Sequence, residues 1–435
     1  MELETLFKSH VERLLAETAK ALAAARFDSL VVSSGEPFTY FADDRDAPFE
    51  PTPHFAYWCP LDGPHHILHV VPGRKPRLIR YLPEDYWYEQ GGVTDPFWLG
   101  SFDFEEAGTL DAAWAALGRP ARAAYVGNET KRAKAAGLAS NPTALVARLD
   151  WMRSYKDDYE VRSIEEATGH GARGHKAARE AFAAGASELE IHHAFLRAAG
   201  TTEAALPYTT IIALDEKAAT LHYEKKRTNR NGRTLLVDAG VQVRRYACDI
   251  TRTTPSSSCD PRFVGLVRAM DVLQRELAAA ATPGKPYLDV HLQAHRGVAR
   301  LLAEHGLVKV KADEAFAKGY THPFFPHGIG HHLGIQVHDV AGHQGDPAGT
   351  RVPPPVEHPY LRNTRTIEPG HVFTIEPGLY FIPMLLRPFR SGKDASAFDW
   401  AAIDALSPFG GVRVEDNVLV TKDGPRNLTR EHLAD

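Results

Sequence analysis

Cysteine is scarce in this chain: Cys59, Cys248 and Cys259 are the three in 435 residues. So few exclude a disulfide-stapled scaffold, and their spacing has no paired CxxC of a structural zinc site. A reducing compartment suits such a chain. No apolar run reaches the roughly 20 residues of a membrane-spanning helix. The opening MELETLFKSH has two acids and no basic stretch ahead of an apolar run, unlike a secretory leader. The expected location is cytoplasmic. Excess charge of either sign is also missing, with 50 basic residues against 55 acidic and a net of −5. That balance offers no bulk attraction for nucleic acid or an anionic membrane. What is present is ordinary globular composition, 43% hydrophobic and 24% charged. At roughly 150 residues per domain, the length implies two or three domains.

Residues 1 to 25 carry Leu3, Leu6, Phe7, Val11, Leu14, Leu15 and Leu22 at helical spacing. SLVVSS from Ser29, HHILHVVP, PRLIRYLP and AAYVGNE from Ala123 read as strands. Strands alternating with helical segments predict an α/β first domain. The character changes in the densely charged WMRSYKDDYEVRSIEEAT, which opens a long helix to about Phe182. Ser187 and Glu190 predict a capping box for a helix ending near Gly200. We place the domain boundary near residue 152, giving domains 1–152 and 153–435.

Chemistry concentrates in the second part. Six of the 22 histidines fall between His322 and His343: His322, His327, His331, His332, His338 and His343. Clustered imidazoles beside glycine suit metal binding or proton transfer, although any single one can be a satisfied core residue. Upstream, two β-rich runs flank Arg244 and Arg245, and each carries one acid, Asp238 and Asp249. An antiparallel hairpin turning midway between Val243 and Arg244 sets the two carboxylates directly opposite each other. Opposed like charges are destabilising, so a cation between them is expected; two exposed acids are the plainer alternative. Glu376 in VFTIEPGLYF and Glu415 in GGVRVEDNVLV put charge into apolar strands, which is costly unless the charge is paired or binds metal. An Arg413–Glu415 salt bridge is the plainer alternative there. Glu368, in an earlier TIEPG, reads as a surface turn residue. Two Asp, two Glu and one His suit Mn²⁺, Co²⁺ or Zn²⁺. Four carboxylates exceed the need of one ion and point to a bridged pair.

The order Asp238, Asp249, HGIGHHLG, TIEPGLY and RVED resembles the pita-bread metallopeptidases, the family of methionine aminopeptidase, aminopeptidase P, prolidase and the metal-free creatinase. YFADDRDAPFEPTPHFAYWCP and LPEDYW extend the likeness to the bacterial prolidase type, which includes organophosphorus acid anhydrolases. The resemblance implies an α+β fold, with a creatinase-like N-terminal domain and a C-terminal pita-bread domain. It implies two divalent ions per subunit, Mn²⁺ by family with Co²⁺ or Zn²⁺ as alternatives. Asp249 and Glu415 would bridge them, Asp238 would chelate one, and His331 with Glu376 would complete the other. His332 would not ligate.

The implied activity is Xaa-Pro dipeptidase: a metal-activated hydroxide cleaves dipeptides ending in proline, with Glu376 as general base. His222 matches a position that contacts substrate or carries protons, and His327 and His338 match positions that support the ligands from behind or contact the transition state. Arg362 in LRNTR would bind the proline carboxylate, a good match for a guanidinium fork, with Arg365 as rival. Arg413 would organise the ligand carboxylates. Family members of this type are usually homodimers, and Asp43 or Asp44 could reach a neighbouring site or be plain loop acids. Organophosphate hydrolysis is a possible side activity. The alternatives are an aminopeptidase P acting on longer peptides and a pita-bread binding module without catalysis. Cys248, beside Asp249, is assigned no role.

Overall fold

Leu6, Phe7, Val11, Leu14 and Leu22 line one face of helix α1 (Leu3–Ala25), and all are buried. The helix stops at Arg26, whose left-handed backbone (φ 64°) turns the chain away. The computed structural model describes residues 2–87 and 96–433. It divides into two units: Met1–Arg153 with Asp157–Glu160 and Asp346–Thr350, and Ser154–Lys156 with Val161–Gly345 and Arg351–Asp435.

The first unit is built on six strands: β1 (Ser29–Ser33), β2 (Ile67–Val70), β3 (Arg77–Tyr81), β4 (Asp103–Ala107), β5 (Ala123–Val126) and β6 (Ala139–Ser140). Their order is β4-β3-β2-β1-β5-β6. β1 pairs antiparallel with β2 and parallel with β5. Every residue of β1 is buried, as an unbroken apolar run in a central strand requires. Helices α2 (Pro53–Trp58), α3 (Leu110–Leu117), α4 (Thr130–Ala135) and α5 (Thr143–Arg153) complete the unit. Val31, Ile67, Ile79 and Tyr125 pack with Ala113, Leu117 and Ala133 from α3 and α4. Each large side chain so buried contributes about 1.5–3 kcal/mol.

The second unit takes most of α6 (Asp158–Ala183), then α7 (Glu188–Ala199). Both halves of the Ser187–Glu190 capping box form, and Gly200 closes α7 in the left-handed conformation (φ 70°). Strands β7 (Ile211–Leu214), β8 (Thr234–Asp238), β9 (Gln242–Val243), β10 (Tyr246–Ala247) and β11 (Thr251–Pro255) follow. β11, β8 and β7 form an antiparallel sheet in that order. Helices α8 (Pro261–Ala280) and α9 (Tyr287–Glu304) bury Phe263, Leu266, Met270, Val290, Ala294 and Val298. These pack with Phe373, Ile375, Leu379, Val412 and Val418 of β12 (Val372–Ile375), β13 (Gly378–Tyr380), β14 (Gly411–Arg413) and β15 (Asp416–Thr421); β16 (Gly424–Asn427) pairs with β15. Among the described residues, no helix is long and apolar enough to cross a membrane.

The hairpin departs from the expected register. Thr251, not Asp249, stands opposite Asp238. Val243 pairs with Tyr246, so the turn lies between Arg244 and Arg245. Both arginines have positive φ, 50° and 71°, as a tight two-residue hairpin turn demands. Glycine or asparagine usually marks such a turn. Here Arg244 is held instead by hydrogen bonds to Ser163 and Glu166. A shift of two residues keeps every side chain on its face. Asp249 therefore stays on the face of Asp238, displaced along the strand.

Candidate metal centre

Register brings the acids together. β12 and β15 pair Ile375 with Asp416, and β13 and β14 pair Gly378 with Arg413 in continuous register. The interruption between them sets Glu376 across from Glu415. A bridge between Thr251 and Glu415 joins this pair to the hairpin. One row therefore runs Asp238, Thr251, Glu415, Glu376. The HGIGHH segment lies along β12: Thr374 N donates to His331 O (3.0 Å) and Glu376 N to Ile329 O (2.9 Å). Gly330 permits that approach, because a Cβ there would lie 2.0 Å from Thr374 O.

Asp249, His331 and Glu415 are all buried, and one donor atom from each lies within 4.8 Å of the others. His331 Nε2 is 3.6 Å from Asp249 Oδ2 and 3.8 Å from Glu376 Oε1. Its Nδ1–H donates to His332 O at 3.0 Å, which fixes the tautomer and turns the Nε2 lone pair toward the carboxylates. A lone pair facing anions calls for a proton or a cation between them. Tyr208 OH contacts Asp238 Oδ1 at 3.0 Å and Asp249 Oδ1 at 2.5 Å. Thr251 Oγ1 donates to Glu415 Oε2 at 2.6 Å.

The Arg413 guanidinium bonds Asp238 Oδ2, Thr251 Oγ1 and the Tyr380 hydroxyl. Arg413 thus holds Asp238 rather than forming the plain strand pair with Glu415. One guanidinium cannot neutralise four carboxylates. At about 4 Å and an effective dielectric near 20, each like-charged pair costs about 4 kcal/mol. The carboxyl groups shift accordingly. Burial, with Asp249, Glu376 and Asp238 nearby, drives the Glu415 carboxyl well above its usual range. Burial likewise pushes Glu376 up to about 7 and raises Asp238 despite Arg413. Burial alone would raise Asp249, but His331, Tyr208 and His338 together lower it. Oxygen-rich donors with one oriented imidazole and too much negative charge fit divalent metal ions.

Three more histidines adjoin this group. Tyr380 OH bonds His327 Nε2 at 2.9 Å, His327 Nδ1 bonds Gly328 O at 2.8 Å, and burial with Arg413 nearby lowers its pKa to about 3. The ring of His338 lies 4.3 Å from that of His331, and burial holds it neutral, at about 3. His222 is exposed and within electrostatic reach of both His327 and His338. Arg362 is exposed, acts electrostatically on His338, and has no hydrogen bond or ion pair among the described residues. Arg365 is different: it is buried and bonded to Ser154, Tyr155 and Glu368. Glu368 is half-buried and bonded to Tyr155 as well, so it is more anchored than a plain surface turn residue. His332 is buried, and neither ring nitrogen has a hydrogen bond among the described residues. Asp43 and Asp44 lie on an exposed loop of the first unit. Cys248 is buried, its Sγ bonded to Val241 N and Ala167 O, and burial pushes the thiol up to about 12.

Sequence reasoning missed Tyr208, Thr251 and Tyr380. Tyr380 is signalled by its place four residues after Glu376, but Tyr208 has no such marker.

Comparison with known proteins identifies the family of the chain. Residues 162–422 match the model of metallopeptidase family M24, and residues 5–151 match that of the Xaa-Pro dipeptidase N-terminal domain. The chain is 40% identical to a Xaa-Pro dipeptidase of Pseudoalteromonas atlantica, covering 99% of each chain. It is also 40% identical to a Xaa-Pro dipeptidase of Escherichia coli O1:K1, over 99% of this chain and 98% of that one. Among solved structures it resembles proline aminopeptidase P II from Yersinia pestis, with TM-score 0.73 and 22% identity over 100% of this chain and 98% of the other. Aminopeptidase PepP of Pseudomonas aeruginosa gives TM-score 0.71 and 22% identity over 97% and 95%. At that identity the two structures establish the shared fold alone. Both domains, the α+β architecture and the relatives' names agree, and the chain belongs to metallopeptidase family M24, the pita-bread metallopeptidases.

Proposed function

We propose that this chain is a metal-dependent Xaa-Pro dipeptidase, hydrolysing dipeptides whose second residue is proline. The observation that carries it is the 40% identity, over 99% of the chain, to relatives named for that activity. The gathered donors support it. Asp238, Asp249, His331, Glu376 and Glu415 would hold two divalent ions, Mn²⁺ by family. When bound, the ions supply Lewis acidity and an activated water at the scissile carbonyl.

The chain's own residues do the rest. Glu376 accepts a proton from the attacking water and passes it to the leaving imino nitrogen. His338, neutral at physiological pH, donates its N–H to the developing oxyanion, and His222, within electrostatic reach of it, would carry protons. His327 is held by Tyr380, which Arg413 holds in turn, so its ring is fixed for substrate. Arg362 offers an unengaged guanidinium fork for the proline carboxylate. Longer peptides have no carboxylate at that point. The reading includes a cytoplasmic homodimer. Its three cysteines are free and buried.

Turnover of Ala-Pro against Ala-Pro-Ala tests the assignment. The dipeptide should be strongly preferred, and Arg362→Ala should raise KM for Ala-Pro at least tenfold with metal content unchanged. Preferred cleavage of the tripeptide would favour an aminopeptidase P instead, and an unaltered KM would remove Arg362 from the site.

A further inference from the structure

Away from the carboxylate centre, four histidines converge from three segments. His291 and His295 are four positions apart on α9 and share one of its faces. His358 comes from the proline-rich stretch after Arg351, and His322 from the turn ahead of His327. Ring centroids are 4.5 Å apart for His291 and His358, 4.7 Å for His291 and His295, and 4.8 Å for His295 and His358. His322 stacks on His358 at 5.3 Å, the planes 22° apart. One donor nitrogen from each of His291, His295 and His358 lies within 4.8 Å of the others.

Core packing alone does not account for these groups. His291 is 1% exposed, and its Nδ1 has no hydrogen bond among the described residues. A buried polar atom left so is destabilising, a cost that a phenylalanine or leucine would not incur. His295 Nδ1 bonds Thr321 Oγ1 at 2.8 Å, which orients the ring and leaves Nε2 for a ligand. Burial lowers His291 to about 3 and His295 to about 2, and lowers His358 as well. Their lone pairs are therefore open to a cation at neutral pH.

We propose that His291, His295 and His358 form a second metal site, built of imidazoles alone, that takes Zn²⁺. Its donors select differently from the carboxylate centre: nitrogen suits zinc, whereas Mn²⁺ favours oxygen. Tetrahedral zinc, with Zn–N near 2.1 Å, asks for donors about 3.4 Å apart, so the ion would draw the three nitrogens closer than their present 4.8 Å limit. The fourth position falls to His322 or to water. Glu357, beside His358 in the chain, adds nearby negative charge. An ion here ties the His358 segment to α9, four residues before Arg362. That consequence rests on the dipeptidase reading; the site itself does not.

The test uses full-length enzyme with its carboxylate centre loaded with Mn²⁺ and excess metal removed. Zn²⁺ is titrated calorimetrically while electron paramagnetic resonance follows free Mn²⁺. About one Zn²⁺ per chain should bind without release of Mn²⁺, and Tm should rise. His291→Gln and His358→Gln should each lose that equivalent and the Tm gain while keeping their Mn²⁺. If His291→Gln does not fold, the half-buried His358 still decides the matter. No zinc uptake, uptake only as Mn²⁺ leaves, or undiminished uptake in the variants overturns the proposal. The readout is zinc, so this failure is distinguishable from failure to cleave Ala-Pro.

Discussion

Tyr208 bonds both aspartates of the centre with one hydroxyl, 3.0 Å from Asp238 and 2.5 Å from Asp249. It sets their orientation without the chemistry to bind an ion itself. Removing such a partner typically weakens metal affinity about 10–100-fold. Tyr208→Phe should show that loss in a Mn²⁺ titration with the fold intact, whereas unchanged affinity would mean the aspartates are set by their strands alone. The contrast with Glu376 explains what was legible at this scale. Acid in an apolar strand is costly and calls attention to itself, so Glu376 and Glu415 stood out. A tyrosine in PYTTI breaks no rule and announced nothing. Arg362 and Arg365 could be ranked only by resemblance, and burial now separates them: Arg365 is engaged in the fold, Arg362 is exposed.

Elements with explicit chemistry at their ends were readable. The Ser187 and Gly200 signals bound α7 as expected, and the strand from Ser29 pairs with the strand from Ala123. The hairpin was not, because its turn uses two arginines with positive φ, and contacts from Ser163 and Glu166 override the local preference. The loop carrying His338 is fixed in another way. Lys156 and Asp339 form a buried ion pair at 3.0 Å, next in sequence to His338. Breaking one side of such a pair typically costs about 3–5 kcal/mol, while replacing both with apolar residues is often neutral. Lys156→Met should therefore lower stability in denaturant by about that amount, and Lys156→Met/Asp339→Leu should recover most of it. Equal losses in both proteins would show that the pair's shape, not its charge, fixes the loop.

For the molecule as a whole, the stability of the metal-free protein is tied to the charge gathered at one place. The Glu376 carboxyl has an ordinary pKa of 4.5, raised in the fold to about 7, chiefly by burial and then by the neighbouring aspartates. Between those values the folded protein holds a proton that the unfolded chain has released. Its contribution to stability is therefore greatest below about 4.5 and falls as pH climbs through about 7. Bound cations reverse the effect by replacing that proton. The Tm gain from Mn²⁺ should grow from about pH 5 to about pH 8. A gain independent of pH would mean that the carboxylates do not hold the metal. The division into an N-terminal and a C-terminal domain was legible from the change of character along the chain. The register of β12 to β15, which sets Glu376 across from Glu415, depends on long-range pairing that no local pattern encodes.

The central claim is metal-dependent hydrolysis of a proline dipeptide. The most direct measurement is release of proline from Ala-Pro or Leu-Pro by metal-stripped protein, before and after Mn²⁺ is restored. The account predicts negligible release without metal and rapid release with it. A folded, metal-replete protein that releases no proline, or one that releases it equally well without metal, would contradict it.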